Sequence, residues 1–252
     1  MIVVSIIYIF ISSLLLLCYK ARSLRTAEAE GAAIERIAAF IANGKGDVAA
    51  IGRGIARYNL MQCIVFVAQM TTVEERAWLR VIVRYYHIES YILGRLQSER
   101  NEDERAYLLL MLARLPMGAM TVARVEELVW CSSRRVSLSA LIVLFAVTPY
   151  RAMSLLAKLP YRLSRRDIAE ILSIISRGYS PIPYTPLLLS KNYNLRLLGI
   201  HLVRRFGIAE SRSEIAVIIK ERDSELKEDA LSALASFGEE WSECERCKYH
   251  II

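Results

Sequence analysis

The sequence predicts an all-α chain, with one apolar helix at the N-terminus followed by a long run of short helices stacked as an α-solenoid. Three observations carry this expectation. Apolar residues recur at helical spacing through most of the 252 residues, strand-like alternation is rare, and Gly and Pro number only 11 and 6. Similar segments return about every 31 residues. Met1 to Tyr19 (MIVVSIIYIFISSLLLLCY) contains no charged residue.

Composition sets outer limits. An apolar content of 54% excludes a disordered chain. Five Cys do not make a disulfide scaffold. Lys and Arg total 33 against 26 Asp and Glu, a net charge of +7 that permits an anionic partner without requiring one.

Nineteen helical residues span roughly 28 Å, about the hydrocarbon thickness of a bilayer. Lys20, Arg22 and Arg25 follow at once. Basic residues directly after a lone span favour keeping that side in the cytoplasm. The expectation is a single-pass membrane protein with its body on the cytoplasmic side, in the inner membrane if the source is bacterial. A cleaved signal peptide fits less well: no basic stretch precedes the apolar run, and no small-residue cleavage site follows it. Leu17 also spoils the lipoprotein box suggested by Cys18.

Residues 20–30 (KARSLRTAEAE) read as a basic helical stalk, 31–240 as the array of helices and 241–252 as a tail. The periodicity predicts helices over 27–42, 46–57, 59–70, 73–85, 87–98, 102–115 and 119–131. It continues with 134–147, 149–159, 164–177, 184–190, 193–206, 211–221 and 224–237. The repeat shows in NLRLLGIHLVRRFG (Asn194–Gly207) and ELKEDALSALASFG (Glu225–Gly238), both ending Phe-Gly and lying 31 residues apart. NEDERAYLLLMLARLP (Asn101–Pro116) can be laid over SSRRVSLSALIVLFAV (Ser132–Val147), again at 31. In the last repeat Leu226, Ala230, Ala233, Leu234 and Phe237 share one helical face. Leu108 to Leu112 is apolar all round, so that helix is expected to be covered on several sides. Helix hairpins of this kind bury their faces only by stacking.

A charged turn, a helix such as ERAYLLLMLARLP or KEDALSALASFG, and then a second helix resemble the short bacterial HEAT repeat, over about residues 70–238. The resemblance implies a right-handed α-solenoid. It also implies a partner-binding module of a membrane assembly or regulatory system. The Asp and Arg ladder of such repeats is patchy here, and SPIPYTP (Ser180–Pro186), read as a rigid turn or PPII loop, interrupts the array.

Signatures of common chemistries are missing. There is no G-x-x-x-x-G-K-[ST], no H-E-x-x-H, no G-x-S-x-G and no Gly-rich dinucleotide fingerprint after a strand. His87, at a helix junction, reads as a capping or packing residue, and His201, mid-helix, as a packed repeat residue. Cys244, Cys247 and His250 have metal-ligand spacing, but three ligands in a short tail leave a zinc site incomplete. No cofactor is expected.

Charge is distributed unevenly. Between Cys131 and Arg166 lie seven basic residues and no acidic one: Arg134, Arg135, Arg151, Lys158, Arg162, Arg165 and Arg166. Between Ile208 and Glu245 lie eleven acidic residues and four basic. Arg134-Arg135 and Arg165-Arg166 begin predicted helices, where cations oppose the helix dipole. Two readings follow: a solvated ridge of turns, or a docking surface for an anionic partner. In the second, Arg134, Arg135, Arg151, Arg162, Arg165 and Arg166 supply charge, and Tyr150 and Tyr161 supply contact area.

The expected function is a membrane-tethered scaffold without catalytic activity, binding a membrane-associated partner protein through its solenoid surface. The alternative is a nucleic-acid-binding HEAT protein or HEAT-type DNA glycosylase using the basic tract. The anchor and the acidic C-terminal end rank it second. A HEAT-type bilin lyase follows from the resemblance alone, and no residue here selects for a tetrapyrrole.

Overall fold

The computed structural model describes residues 25–72, 74–176, 182–221 and 225–237. Among them every regular element is a helix and there is no strand, compatible with a helical-repeat array. No helix among the described residues is long and apolar enough to cross a membrane. The apolar run 1–19, Lys20, Arg22, the first two residues of SPIPYTP and the tail with Cys244, Cys247 and His250 lie outside the described residues. Two compact units are present: Met1–Ser98 with Arg114–Gly118, and Glu99–Ala113 with Ala119–Ile252.

The first unit holds α1 (described over 25–43), α2 (Val48–Ile51), α3 (Arg57–Ala68), α4 (Arg76–Tyr85) and α5 (Ile88–Ser98). Its core follows the helical period: Leu79, Ile82 and Val83 of α4 and Ile88, Ile92 and Leu96 of α5 are buried. Thr72 and Glu75 hydrogen-bond reciprocally ahead of α4, with Thr72 N–H donating to Glu75 Oε2 at 2.7 Å.

The helix expected over 46–57 is a single turn, Val48–Ile51. Asp47 caps it by accepting from Ala49 N–H at 2.9 Å. What ends it is Tyr86. Its hydroxyl accepts from Gly52 N–H at 2.7 Å and donates to Val48 O at 2.6 Å. Val48 O and Gly52 N–H are the pair a continuing α-helix would join directly, so the phenol takes over that hydrogen bond. Gly54 then turns the chain at φ +76°.

The second unit holds α6 (Glu102–Leu112), α7 (Ala119–Leu128), α8 (Arg134–Val147), α9 (Pro149–Leu156) and α10 (Arg165–Ile175). It continues with α11 (Thr185–Leu188), α12 (Tyr193–Phe206), α13 (Arg212–Lys220) and α14 (Lys227–Ala235). The first helices of successive repeats form a row: α6 packs on α8, α8 on α10, α10 on α12 and α12 on α14. Helix α8 also contacts α7 and α9, and every residue from Val136 to Phe145 is buried. That stretch (VSLSALIVLF) has no charged residue to turn toward water, so it suits only a central position. Leu108, Leu109, Met111 and Leu112 of α6 are likewise buried.

Helix boundaries follow local chemistry. Asn101 caps α6, Ser164 and Asp167 form a capping box on α10, and Asn192 caps α12. Gly207 ends α12 in the left-handed region at φ +63°. This gives the first Phe-Gly repeat mark its physical reason.

Candidate functional site

The basic tract is placed by the starts of α8 and α10. Arg134 Nη2 lies 2.8 Å from Asp167 Oδ2 and donates to Arg162 O at 3.2 Å, and its guanidinium lies 5.1 Å from the Tyr161 ring centroid. Arg135 pairs with Asp103. Arg151 meets Glu126 through two nitrogens, Nη2 at 2.5 Å and Nε at 3.1 Å. Arg162 pairs with Glu225 and lies over the Tyr193 ring at 4.7 Å. Arg165 reaches Asp229 through Nε at 2.8 Å and Glu228 through Nη2 at 2.5 Å. Arg166 stands furthest out, with its side chain 89% exposed and its ion pair, among the described residues, to Glu170 of its own helix at 3.5 Å.

The charge segregation seen along the sequence is therefore closed in space. Arg162 and Arg165 of the basic tract meet Glu225 and Glu228 of the acidic end, each pair 63 residues apart, and Arg165 also meets Asp229. This explains three of the four cations that begin α8 and α10: Arg134, Arg135 and Arg165 each find a carboxylate on another helix, which offsets the unfavourable dipole. The carboxylates are set by the same caps. Burial pushes the Asp167 carboxyl up, but hydrogen bonds from Ser164 and Arg134 outweigh this and hold it below the usual range.

The two tyrosines differ. Tyr150 is 60% exposed. Tyr161 is half-buried beneath Arg134, its hydroxyl 2.8 Å from Ser137 Oγ, and burial raises its pKa. Tyr161 thus packs the α9–α10 connection, and Tyr150 presents contact area.

Several structural partners escape sequence reading. Glu102 accepts from the Ser133 hydroxyl at 2.6 Å, 31 residues away, and Asn194 reaches from α12 to the α9–α10 connection. The Glu102–Ser133 separation equals the repeat period, a signal present in the sequence but visible only once the hairpins are stacked. Glu, Ser and Asn thus join Asp and Arg in linking neighbouring helices of this unit.

His201 on α12 is 14% exposed, with Nε2 3.2 Å from Oδ1 of the buried Asp229. Burial pulls its pKa down, with the nearby charges of Arg204 and Arg165 adding to this, against the attraction of Asp229. A histidine whose folded pKa lies below its unfolded value resists protonation in the folded state. Its contribution is complete above the unfolded value, about 6.5, and is lost as pH falls toward the folded value. Urea unfolding midpoints should therefore drop below about pH 6.5, and in His201→Gln that part of the slope should flatten. His87, at φ +50°, occupies the α4–α5 junction, a capping geometry.

No family model, curated protein or solved structure matches this chain. Among the described residues no group of three His, Cys, Asp or Glu side chains is placed to hold a metal ion.

Proposed function

We propose that the chain is a membrane-tethered helical-repeat scaffold, a HEAT-like α-solenoid that binds a membrane-associated partner protein through its surface and carries out no catalysis. The observation that carries this reading is the row α6–α8–α10–α12–α14, tied together between neighbouring repeats. Such construction commits side chains to holding repeats in register and offers an extended face to partners. Residues 1–19 are the tether, with Lys20, Arg22 and Arg25 holding the body on the cytoplasmic side. Tethering raises the effective concentration of the surface toward partners in the same membrane.

Within the arginine ridge two roles separate. Arg134, Arg162 and Arg165 join repeats, while Arg166 and Tyr150 project. Arg135 and Arg151 also pair with carboxylates of other helices, and all five of these arginines remain more than half exposed, so they flank Arg166 and Tyr150 on the same surface. The test compares charge reversals. Arg166→Glu should reduce cross-linked capture of the partner from solubilised membranes while leaving Tm unchanged, and Tyr150→Ala should reduce capture as well. Arg165→Glu should lower Tm, because it sets a carboxylate beside the buried Asp229. Capture that is insensitive to Arg166 and Tyr150, or salt-sensitive co-purification of nucleic acid in place of a protein, would overturn the reading.

Orientation is tested at Cys131, because Cys63 is buried and protected on either side of a membrane. An impermeant thiol reagent should leave Cys131 unlabelled in intact cells and label it after permeabilisation.

A further inference from the structure

Helix α4 (RAWLRVIVRY) buries one edge, with Leu79, Ile82 and Val83, and turns the other to solvent. The outward edge is apolar as well. Trp78, Val81 and Tyr85 follow one another at about one turn and are each between 41% and 52% exposed. Arg80 and Arg84, also a turn apart, stand exposed beside them. Neither guanidinium has an ion pair or a hydrogen bond among the described residues. No acidic residue occurs within the helix. Glu74 and Glu75 precede it, and Glu75 is engaged by Thr72. The arginine ridge of the second unit is different, because five of its six arginines meet carboxylates of other helices.

The aromatic rings of this edge are held in place. Trp78 meets Phe40 of α1 edge-on, with ring centroids 6.1 Å apart. It also lies so close to Gly44 that a Cβ there would fall 2.5 Å from Trp78 Cζ2. Gly44, at φ +61°, thus makes the turn after α1 and leaves a seat for the indole. Tyr85 packs edge-on against Tyr86 at 5.0 Å. Packing fixes one side of each ring, and the other side remains in water, where apolar surface gains nothing.

We propose that this edge of α4 docks on the surface of an anionic lipid bilayer. Such a surface offers both things the edge presents a need for. Anionic headgroups attract Arg80 and Arg84. The boundary between headgroups and acyl chains accepts Trp and Tyr, whose rings are apolar and whose N–H and O–H stay hydrated, together with Val81. A nucleic acid would answer the cations but has no apolar layer for Val81. Headgroups would repel a carboxylate on this edge, and α4 carries none. A helix of 10 residues is a weak attachment alone, so the inference rests on the tether proposed for residues 1–19 to hold the chain at the bilayer.

The test reads Trp78 by fluorescence in the full chain, with Trp130→Phe and Trp241→Phe leaving it as the sole tryptophan. The chain is reconstituted with vesicles of phosphatidylcholine alone or mixed with phosphatidylglycerol. Each carries lipid brominated near the headgroup end of its acyl chains. Flotation reports the tether, and quenching by bromine reports the docked helix. Flotation with both vesicles, and strong quenching of Trp78 only with phosphatidylglycerol, is expected. Arg80→Gln combined with Arg84→Gln should lower the ratio of docked to undocked chain about 30-fold, the change expected for two cations near an anionic surface. Both side chains are exposed, so the unfolding midpoint should move little. Flotation without quenching overturns the docking and leaves the tether standing. Quenching that is equal in neutral vesicles, or unmoved in the double variant, overturns it too. Flotation with anionic vesicles alone, lost in the double variant, supports the docking and removes the tether. No flotation with either removes both. A shift of Trp78 emission caused by duplex RNA, or by raising the chain concentration without lipid, in place of quenching, would assign the edge to nucleic acid or to a second copy and overturn the proposal.

Discussion

Asn194→Ala should be among the most destabilising single substitutions in the chain, costing about 2–4 kcal/mol. Asn194 is only 4% exposed, at the second position of α12. Its Oδ1 accepts from Leu163 N–H at 2.8 Å, and its Nδ2 donates to Tyr161 O at 3.0 Å. Both partners belong to the irregular segment between α9 and α10, which has no helical ladder to satisfy its backbone. Alanine removes both bonds and strands a buried N–H, whose desolvation alone costs about 1–3 kcal/mol. The neighbouring Asn192 provides the scale. It caps α12 through Leu195 N–H at 3.1 Å and also donates to Ala157 O at 2.8 Å, but it is less buried. Asn192→Ala should cost about 1 kcal/mol, the usual value for a lost N-cap. Urea unfolding at neutral pH checks this: the midpoint should fall in both variants, furthest in Asn194→Ala, with an unchanged m-value. Asn194→Asp keeps the acceptor for Leu163 and sets a carboxylate against Tyr161 O, so its midpoint should lie between alanine and the natural chain. Equal, small losses at Asn192 and Asn194 would show that the connection is held by other contacts.

Gly199→Ala and Gly94→Ala should move stability in opposite directions. Both glycines sit inside helices, α12 and α5, where Ala is normally preferred by about 1 kcal/mol. At Gly94 a Cβ meets nothing within 4 Å, so the preference is realised and the variant gains about 0.5–1 kcal/mol. At Gly199 a Cβ would lie 2.9 Å from Leu187 Cβ and 3.1 Å from Leu188 N. The second contact is with the backbone of α11, which cannot rotate aside as a side chain can. Separating α11 from α12 should cost about 1–3 kcal/mol, and Gly199→Val should cost more. A stabilised Gly199→Ala would mean that α11 yields easily, and the close approach would carry no structural weight.

These two sites show where sequence reasoning stops. Helix α12 is legible as a helix from NLRLLGIHLVRRF, and its C-terminal Gly207 as a terminator. Nothing in the run Asn192-Tyr193-Asn194 distinguishes the buried Asn194, whose amide serves only a distant segment, from Asn192, which also caps its own helix. Nor does it reveal that Gly199 faces a backbone while Gly94 faces open space. Composition and period are properties of one segment. The value of a buried amide or a missing Cβ depends on which atoms another segment brings beside it. The same limit applies to the helix expected over 46–57. Gly52 and Gly54 are visible as weak points, but the phenol that takes the Val48–Gly52 hydrogen bond comes from 34 residues away.

The arginine tract teaches the same lesson through charge. The sequence shows a basic middle and an acidic end, and it places pairs of arginines at the starts of helices. An anionic partner and an internal carboxylate answer that pattern equally well, because a linear charge count carries no distances. Stacking the repeats brings Arg165 to Asp229 and Arg134 to Asp167, and only then do Arg166 and Tyr150 separate from the rest as projecting groups.

The amino-acid sequence alone determines that the described residues are helical and, except over 46–57, places their helices to within about three residues. It also marks Leu108 to Leu112 as a stretch with no polar face, and Leu108, Leu109, Met111 and Leu112 are buried. These follow from backbone propensity, caps and period, which act within one turn or two of helix. The tertiary structure decides which cations are neutralised, which tyrosine is packed and which glycine is indispensable. Each of these depends on atoms separated by tens of residues and brought within about 3–6 Å of one another, where hydrogen bonds, ion pairs and cation–ring contacts have their strength.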